Sequence, residues 1–234
     1  MVSGTAPITR AGRSYADQAE EALRREIISG NRHPGERLNE VEIASELGVS
    51  RGPIREAIQR LARDGLVHVQ AHRGTFVRAL DATEITGLFE VRISLECTAA
   101  ELAAERQTAQ EMAQIRTLLD STTEEVNRQP RPHYPTDLDL HQLIAAASGN
   151  ARLYRLIVQI NQELTLVRAT SGFRPERAPI ALVEHTDIVA AIDRRDAAAA
   201  RELMAAHLQH SLANTLMIVK SAPDARKSGL ADGR

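Results

Sequence analysis

The sequence predicts a mainly α-helical protein with one small β-structured element near its N-terminus. Apolar residues recur at helical spacing through most of the 234-residue chain. Aromatic residues make up only 3% and Trp is absent, so Leu, Ile, Val and Ala must fill the cores, a mixture that favours helices over sheets. Two short runs, "LVHVQ" (66–70) and "GTFVRA" (74–79), carry the β-type pattern. The length suits one large or two modest domains.

Composition excludes several classes. No run of about 18 apolar residues is present, so no membrane span is expected. The N-terminal stretch "MVSGTAPITRAGRSYAD" lacks the apolar core of a signal peptide. The single cysteine, Cys97, cannot form an internal disulfide, which leaves a cytoplasmic protein as the default expectation. The net charge is −2, but its distribution is uneven: residues 1–80 hold 12 of the 29 basic residues, all Arg, and 10 of the 31 acidic ones. The front part is therefore slightly basic, a weak pointer to a polyanionic partner.

Taken in order, residues 1–12 read as a flexible leader and 13–80 as a first domain. Ala16 to Ile28 is helical, with Ala19, Leu23 and Ile27 on one face; "SGNRHPGERL" ends it with turn residues. Asn39 caps a short helix, Glu40 to Glu46, with Val41, Ala44 and Leu47 as its apolar positions. In "LGVS", Gly48 suits a tight turn, Val49 plugs the core and Ser50 caps the next helix. That helix runs from about Arg51 to Arg63 with Ile54, Ala57, Ile58 and Leu61 inward, and Pro53 lies in its first turn, where the missing N–H does no harm. The two β-type runs follow, joined by "AHRG" as a hairpin tip.

Two helices joined by a tight turn and followed by a hairpin describe a winged helix-turn-helix. The N-terminal residues of its second helix, Ser50, Arg51, Gly52 and Arg55, would meet base edges in a major groove. Arg51 and Arg55 share a helix face, and Arg suits bidentate contact with guanine O6 and N7. Gly52 leaves room for close backbone approach, and His72 and Arg73 at the wing tip can reach the minor groove or phosphates. The segment of roughly residues 15–79 resembles the DNA-binding domain of the GntR family of bacterial transcription regulators, most specifically in "GVSRGPIREAIQRLARDGLV" and "RGTFV". The resemblance implies a dimeric repressor or activator, with Arg51 and Arg55 on the recognition helix and the wing around Arg73–Gly74. Family members often carry a further Arg where this chain has Val41; that contact is either missing or supplied by Arg37.

Residues 81–222 read as a second, all-helical domain, and 223–234 as a flexible tail. Leu88, Arg92, Leu95, Ala99 and Leu102 make one stripe; Met112, Ile115, Leu119 and Val126 mark a second helix. After the Pro-rich loop "NRQPRPHYP", helices are expected near 136–147, 151–170, 179–193 and 196–219, giving an antiparallel bundle. "DRRD" breaks the periodicity, and Asp196 is a good N-cap for the last helix.

His185 lies eleven residues before Asp196 and His207 eleven after it. In an antiparallel hairpin, residues equally far from the turn lie at similar height. His185 shares a stripe with Leu182, Val189 and Ile192, and His207 follows Leu203 by four, so both rings point inward. In "DLDLHQLIAAASGN", Asp137 and His141 project from one helix face. Three imidazoles and a carboxylate converging inside a bundle make a metal site, one divalent ion per chain. Zn²⁺ fits that set best, and Ni²⁺, Mn²⁺ and Fe²⁺ are compatible with it. His133 and His210 are competing ligands. Such a site needs neutral His and ionised Asp, so affinity should fall below about pH 6.

Here the sequence resembles the FCD domain of the FadR subfamily of GntR regulators, through "VRISLECTAAELAA", "DLDLHQLIAAASGN" and "EHTDIVAAIDRRDAAAARELMAAHL". The resemblance implies that Asp137, His141, His185 and His207 hold the ion and that a small organic acid binds beside it. Arg92 is a candidate for pairing with that acid, the alternative being a surface ion pair with Glu96. Asn161 belongs to a polar stripe that either lines a pocket or faces solvent. The expected protein is a homodimeric, non-enzymatic regulator on a palindromic operator, repressing by default. A metal-dependent hydrolase-like enzyme and a regulator with a purely structural metal site are the rival readings.

Overall fold

The computed structural model describes residues 13–128, 137–171 and 177–221. The expected leader, the Pro-rich loop with His133 and the expected tail lie outside those residues. The chain divides into two compact units, Met1–Ala79 and Leu80–Arg234.

In the first unit, helix α1 (Tyr15–Ile28) starts with a capping box. The Ser14 hydroxyl accepts from the Asp17 N–H, and the Asp17 carboxylate accepts from the Ser14 N–H, so two otherwise unpaired donors are satisfied together. Its buried face is Ala16, Ala19, Leu23 and Ile27. Strand β1 (Arg37–Leu38) follows, then α2 (Glu40–Glu46) and α3 (Arg51–Arg63). Gly48 holds the intervening turn with φ +65°, a left-handed conformation that favours glycine. Strands β2 (Val67–Gln70) and β3 (Gly74–Val77) form the wing. All pairings are antiparallel, in the order β1-β3-β2, with Leu38 opposite Thr75 and Val69 also opposite Thr75. The core is Leu23, Ile27, Leu38, Ile43, Ile54, Leu61, Leu66 and Val77, all at most 3% exposed.

Three local expectations are corrected. In α2 the inward residues are Ile43 and Ala44, whereas Val41 and Leu47 are exposed. Helices this short can be phased wrongly from sequence because two turns contain too few apolar positions to fix the face. Ser50 occupies the N-cap position of α3 in extended conformation, but its hydroxyl makes no capping hydrogen bond. Strand β1 was not expected: it is two residues long and exists only through its pairing with β3.

The second unit is an all-helical bundle of α4 (Ala82–Arg106), α5 (Ala109–Arg128), α6 (Asp137–Ala147), α7 (Ala151–Ser171), α8 (Arg177–Asp193) and α9 (Ala197–Ser221). Asp81 and Glu84 form a capping box at the start of α4, and Asn150 caps α7 through the N–H groups of Arg152 and Leu153. Helix α4 packs against α6, α7, α8 and α9. Its deepest line runs through Ile85, Phe89, Arg92, Glu96, Ala100 and Ala103; the expected stripe members Leu88 and Leu95 are only half-buried. The α8–α9 connection is the expected hairpin. Asp196 accepts from the Ala199 N–H at 3.0 Å, and Arg195 turns the chain with φ +59°. The Arg195 guanidinium donates to the carbonyls of Glu105 and Gln107, each at 3.0 Å, tying this turn to the end of α4.

Candidate metal centre and nucleic-acid interface

Three histidines meet inside the bundle. His141 comes from α6, His185 from α8 and His207 from α9, and none is more than 1% exposed. The hairpin geometry explains the last two: equal distances from a capped turn place them at one height on facing helices. His185 Nε2 lies 3.1 Å from His207 Nε2. The His141 ring centroid is 5.2 Å from that of His185 and 5.1 Å from that of His207. One ligand atom from each of the three lies within 4.8 Å of the others. The backbone of Asp137 sits one turn before His141 on α6, but its side chain lies outside the described residues. His210 is not in the cluster; its side chain is 64% exposed.

The donor set suits a cation. Metal–nitrogen bonds of about 2.0–2.1 Å at tetrahedral angles put neighbouring ligand nitrogens roughly 3.3–3.4 Å apart; His185 and His207 stand slightly closer, at 3.1 Å. Between two neutral imidazoles the same separation is also a hydrogen bond, with one ring donating. That account leaves His141 unexplained, because its Nε2 is buried without a hydrogen-bond partner. A buried polar atom in that state is costly unless something completes it.

Carboxylates stand behind two of the rings. His207 Nδ1 is 2.8 Å from Glu184 Oε2, so the ring donates there and turns the Nε2 lone pair inward. Glu184 also accepts from His210 Nδ1 at 2.8 Å and from Arg177. Burial pushes the Glu184 carboxyl up, and hydrogen bonds from His207, Arg177 and His210 outweigh that and hold it well below the usual carboxylate range. His141 Nδ1 faces Glu96 Oε2 at ion-pair range, without forming a regular hydrogen bond.

Glu96 also accepts from Arg92 Nε at 2.7 Å. This pair is not the surface pair considered from sequence: the side chains are 1% and 2% exposed. Burial alone would raise the Glu96 carboxyl; the Arg92 charge, with the His141 ring facing it, outweighs that and keeps it ionised and lowered. The terminal nitrogens of Arg92, Nη1 and Nη2, are buried and have no hydrogen-bond partner, and the Arg92 guanidinium stands 5.3 Å from the centre of the Phe89 ring. Asn161 on α7 is 1% exposed, with both its side-chain polar atoms unpartnered.

Sequence reasoning missed Glu184 and named Glu96 only as a surface partner of Arg92. Glu184 directly precedes His185, so it projects about a quarter turn further round α8. His207 and His210 are three apart and share a face of α9, the face that meets it. Those spacings were the available signal.

In the first unit, Arg51 and Arg55 lie at the exposed start of α3, with side chains 55% and 57% exposed. Both reach Glu40 on α2: Arg55 Nε donates to Glu40 Oε2 at 2.7 Å, and Arg51 approaches the same oxygen at 3.4 Å. A Cβ added at Gly52 would meet nothing within 4 Å. His72 and Arg73 are exposed at the hairpin tip, His72 with φ +62°. Arg37 crosses the wing over Gly74, where an added Cβ would stand 3.0 Å from its Nε. Gly74 is required there by its own φ of +113°; the flexible Arg37 side chain is a neighbour that can give way.

Residues 15–77 match the family of bacterial regulatory proteins named gntR, and residues 84–210 match the FCD domain. The chain belongs to the GntR family and carries an FCD domain. It is 30% identical to the Nta operon transcriptional regulator of Aminobacter aminovorans, over 83% of this chain and 91% of that protein. It is 28% identical to the transcriptional repressor RspR of Escherichia coli K12, over 82% of this chain and 85% of that one. A GntR-type structure from Rhodococcus sp. RHA1 superposes with a TM-score of 0.73 at 28% identity, covering 86% of this chain and 97% of its own. E. coli McbR/YncC shares the fold with a TM-score of 0.74 at 22% identity, over 88% and 99% of the two chains. This GntR/FCD protein is thus a DNA-binding transcription regulator. Among the described residues, no helix is long and apolar enough to cross a membrane.

Proposed function

We propose that this GntR/FCD regulator senses a small organic acid at a divalent metal centre and changes its affinity for a palindromic operator in response. His141, His185 and His207 hold the ion through their Nε2 atoms, with Asp137 as the fourth ligand. Zn²⁺ is the favoured ion on ligand chemistry, with Ni²⁺, Mn²⁺ and Fe²⁺ as competitors. The ion supplies a Lewis-acidic anchor for an acid's oxygen atoms. The carboxylate of the acid pairs with the terminal nitrogens of Arg92, and Asn161 supplies a further polar contact. The operator is read by Ser50, Arg51, Gly52 and Arg55 on α3, and Arg37, His72, Arg73 and Gly74 engage the backbone and minor groove. The protein acts as a cytoplasmic homodimer and a repressor, releasing DNA when the acid binds. One of its named relatives is a repressor and another regulates an operon.

The observation that carries this reading is the meeting of three buried imidazoles beside a buried guanidinium whose terminal nitrogens have no partner. A metal that merely stapled the bundle would leave the two terminal nitrogens of that guanidinium without a partner. The test combines elemental analysis with thermal shift against a library of carboxylic acids. The wild-type protein should carry about one ion per chain and be stabilised further by at least one acid. His185→Ala should carry well below one ion and lose the acid's effect. Full metal retention in that variant would refute the ligand set, and metal-dependent stability indifferent to every acid would favour the structural staple.

A further inference from the structure

Glu96 stands between the imidazole cluster and the Arg92 guanidinium, and its two oxygens face different neighbours. Oε1 accepts from Arg92 Nε, and Oε2 faces His141 Nδ1. We propose that Glu96 is a positioning residue for both: it holds His141 as the Nδ1–H tautomer, with Nε2 left as a lone pair toward His185 and His207, and turns Arg92 so that Nη1 and Nη2 are presented to an anion. The inference deepens the metal-and-acid reading and rests on it for its purpose, though the tautomer itself is a property of the chain alone.

The argument is one of donors and acceptors. An ionised carboxylate only accepts, so whichever imidazole nitrogen faces it carries the proton. A neutral imidazole has one proton, so the other nitrogen is then a lone pair, the form in which histidine ligates a metal. Neither ring nitrogen of His141 makes a regular hydrogen bond, but Nδ1 has Glu96 Oε2 at ion-pair range, whereas Nε2 has no such partner among the described residues. The arrangement recurs at His207, where Glu184 receives Nδ1 and the Nε2 faces inward. On the other oxygen, fixing Arg92 by Nε leaves the terminal pair of nitrogens, which are the two that grip a carboxylate in parallel. Glu96 thus does at one point what two separate residues would otherwise have to do, and it compensates a buried cation while leaving that cation's fork open.

Glu96→Gln makes a sharp test, because Arg can only donate. The carbonyl of the introduced amide must turn to Arg92 Nε, which leaves its NH₂ facing His141 Nδ1. That nitrogen must then accept, and the proton moves to Nε2. In metal-free protein with ¹⁵N-labelled histidine, at about pH 8 where imidazole is neutral, long-range ¹H–¹⁵N spectra of the wild type should place the His141 proton on Nδ1. Glu96→Gln should move it to Nε2, and affinity for Zn²⁺ alone should fall about 10–100-fold, the usual effect of losing an outer partner of a metal ligand. The double variant Arg92→Met/Glu96→Gln frees the amide to turn its carbonyl to His141, and should restore the Nδ1–H tautomer and much of the affinity. A residue that only filled space would not produce that rescue.

A wild-type proton on Nε2, or a Glu96→Gln variant with unchanged tautomer and Zn²⁺ affinity within about twofold, overturns the proposal. If the single variant fails to fold, Arg92→Met/Glu96→Gln is compared with Arg92→Met/Glu96→Met, which offers no acceptor; the same tautomer and affinity in both would overturn it equally. The predicted tautomers without any Zn²⁺ binding would instead sink the metal reading and leave the positioning role of Glu96 standing. Zn²⁺ binding with the wrong tautomer would do the reverse.

Discussion

Arg92 shows how much a single buried side chain can constrain. From sequence it lies on a helix stripe between two leucines, with a glutamate one turn later, which is the ordinary pattern of a surface pair. Its depth comes from the four helices α6, α7, α8 and α9 packed against α4, which one helix's periodicity cannot report. At 1% exposure, the pair with Glu96 no longer behaves like a surface pair, worth a few tenths of a kcal/mol in a helix. Truncating one partner strands the other charge in a low dielectric, at a cost of about 3–5 kcal/mol. Arg92→Ala should therefore lower unfolding stability in urea by that order, besides abolishing any response to the acid. An unchanged urea midpoint would mean that Glu96 finds solvent or another partner, and that the pair holds nothing in place.

At the scale of elements, the long helices were legible and the short ones were not. Leu23, Ile27, Ile54, Ile58 and Leu61 mark the inward faces of α1 and α3 over several turns, and the structure buries all five. In α2, seven residues gave an ambiguous phase, and burial fell to Ile43 rather than Val41. Strand β1 has no local signature, since its partner in β3 lies almost forty residues away. The histidine cluster was legible because a capped hairpin turns equal sequence distances into equal heights. The carboxylates behind the rings were not, because their contacts cross between helices. For α3 the structure adds that Arg55 is held by Glu40 before any DNA is present, which limits the side-chain freedom to be lost on binding. Arg55→Ala should cost operator affinity about 1–3 kcal/mol, as loss of a bidentate base contact does. Its thermal unfolding should match the wild type, since the side chain is mostly exposed. Operator affinity unchanged across matched and mismatched sites would remove Arg55 from the readout.

At the scale of the whole molecule, a DNA-binding unit and a second unit proposed to bind a metal and an acid are useful in one chain only if their equilibria are linked. An acid that binds equally well whether or not the operator is occupied shifts nothing, however tight it is. Linkage is also reciprocal: if the acid weakens operator binding by some factor, the operator weakens acid binding by the same factor. Couplings of this kind are typically about 5–150-fold. The full-length, metal-loaded protein should therefore bind its acid about that much more weakly when saturated with operator DNA than when free. Titration calorimetry on the two forms reads this directly, at a fixed salt concentration because phosphate contacts make DNA affinity strongly salt-dependent. The Arg55→Ala protein, which binds operator poorly but retains the second unit, should show the acid's full affinity whether or not operator is added at a concentration that saturates the wild type. Equal acid affinity in free and operator-bound wild-type protein would break the link between the two units: the metal centre would then bind its acid for some purpose other than control of the operator.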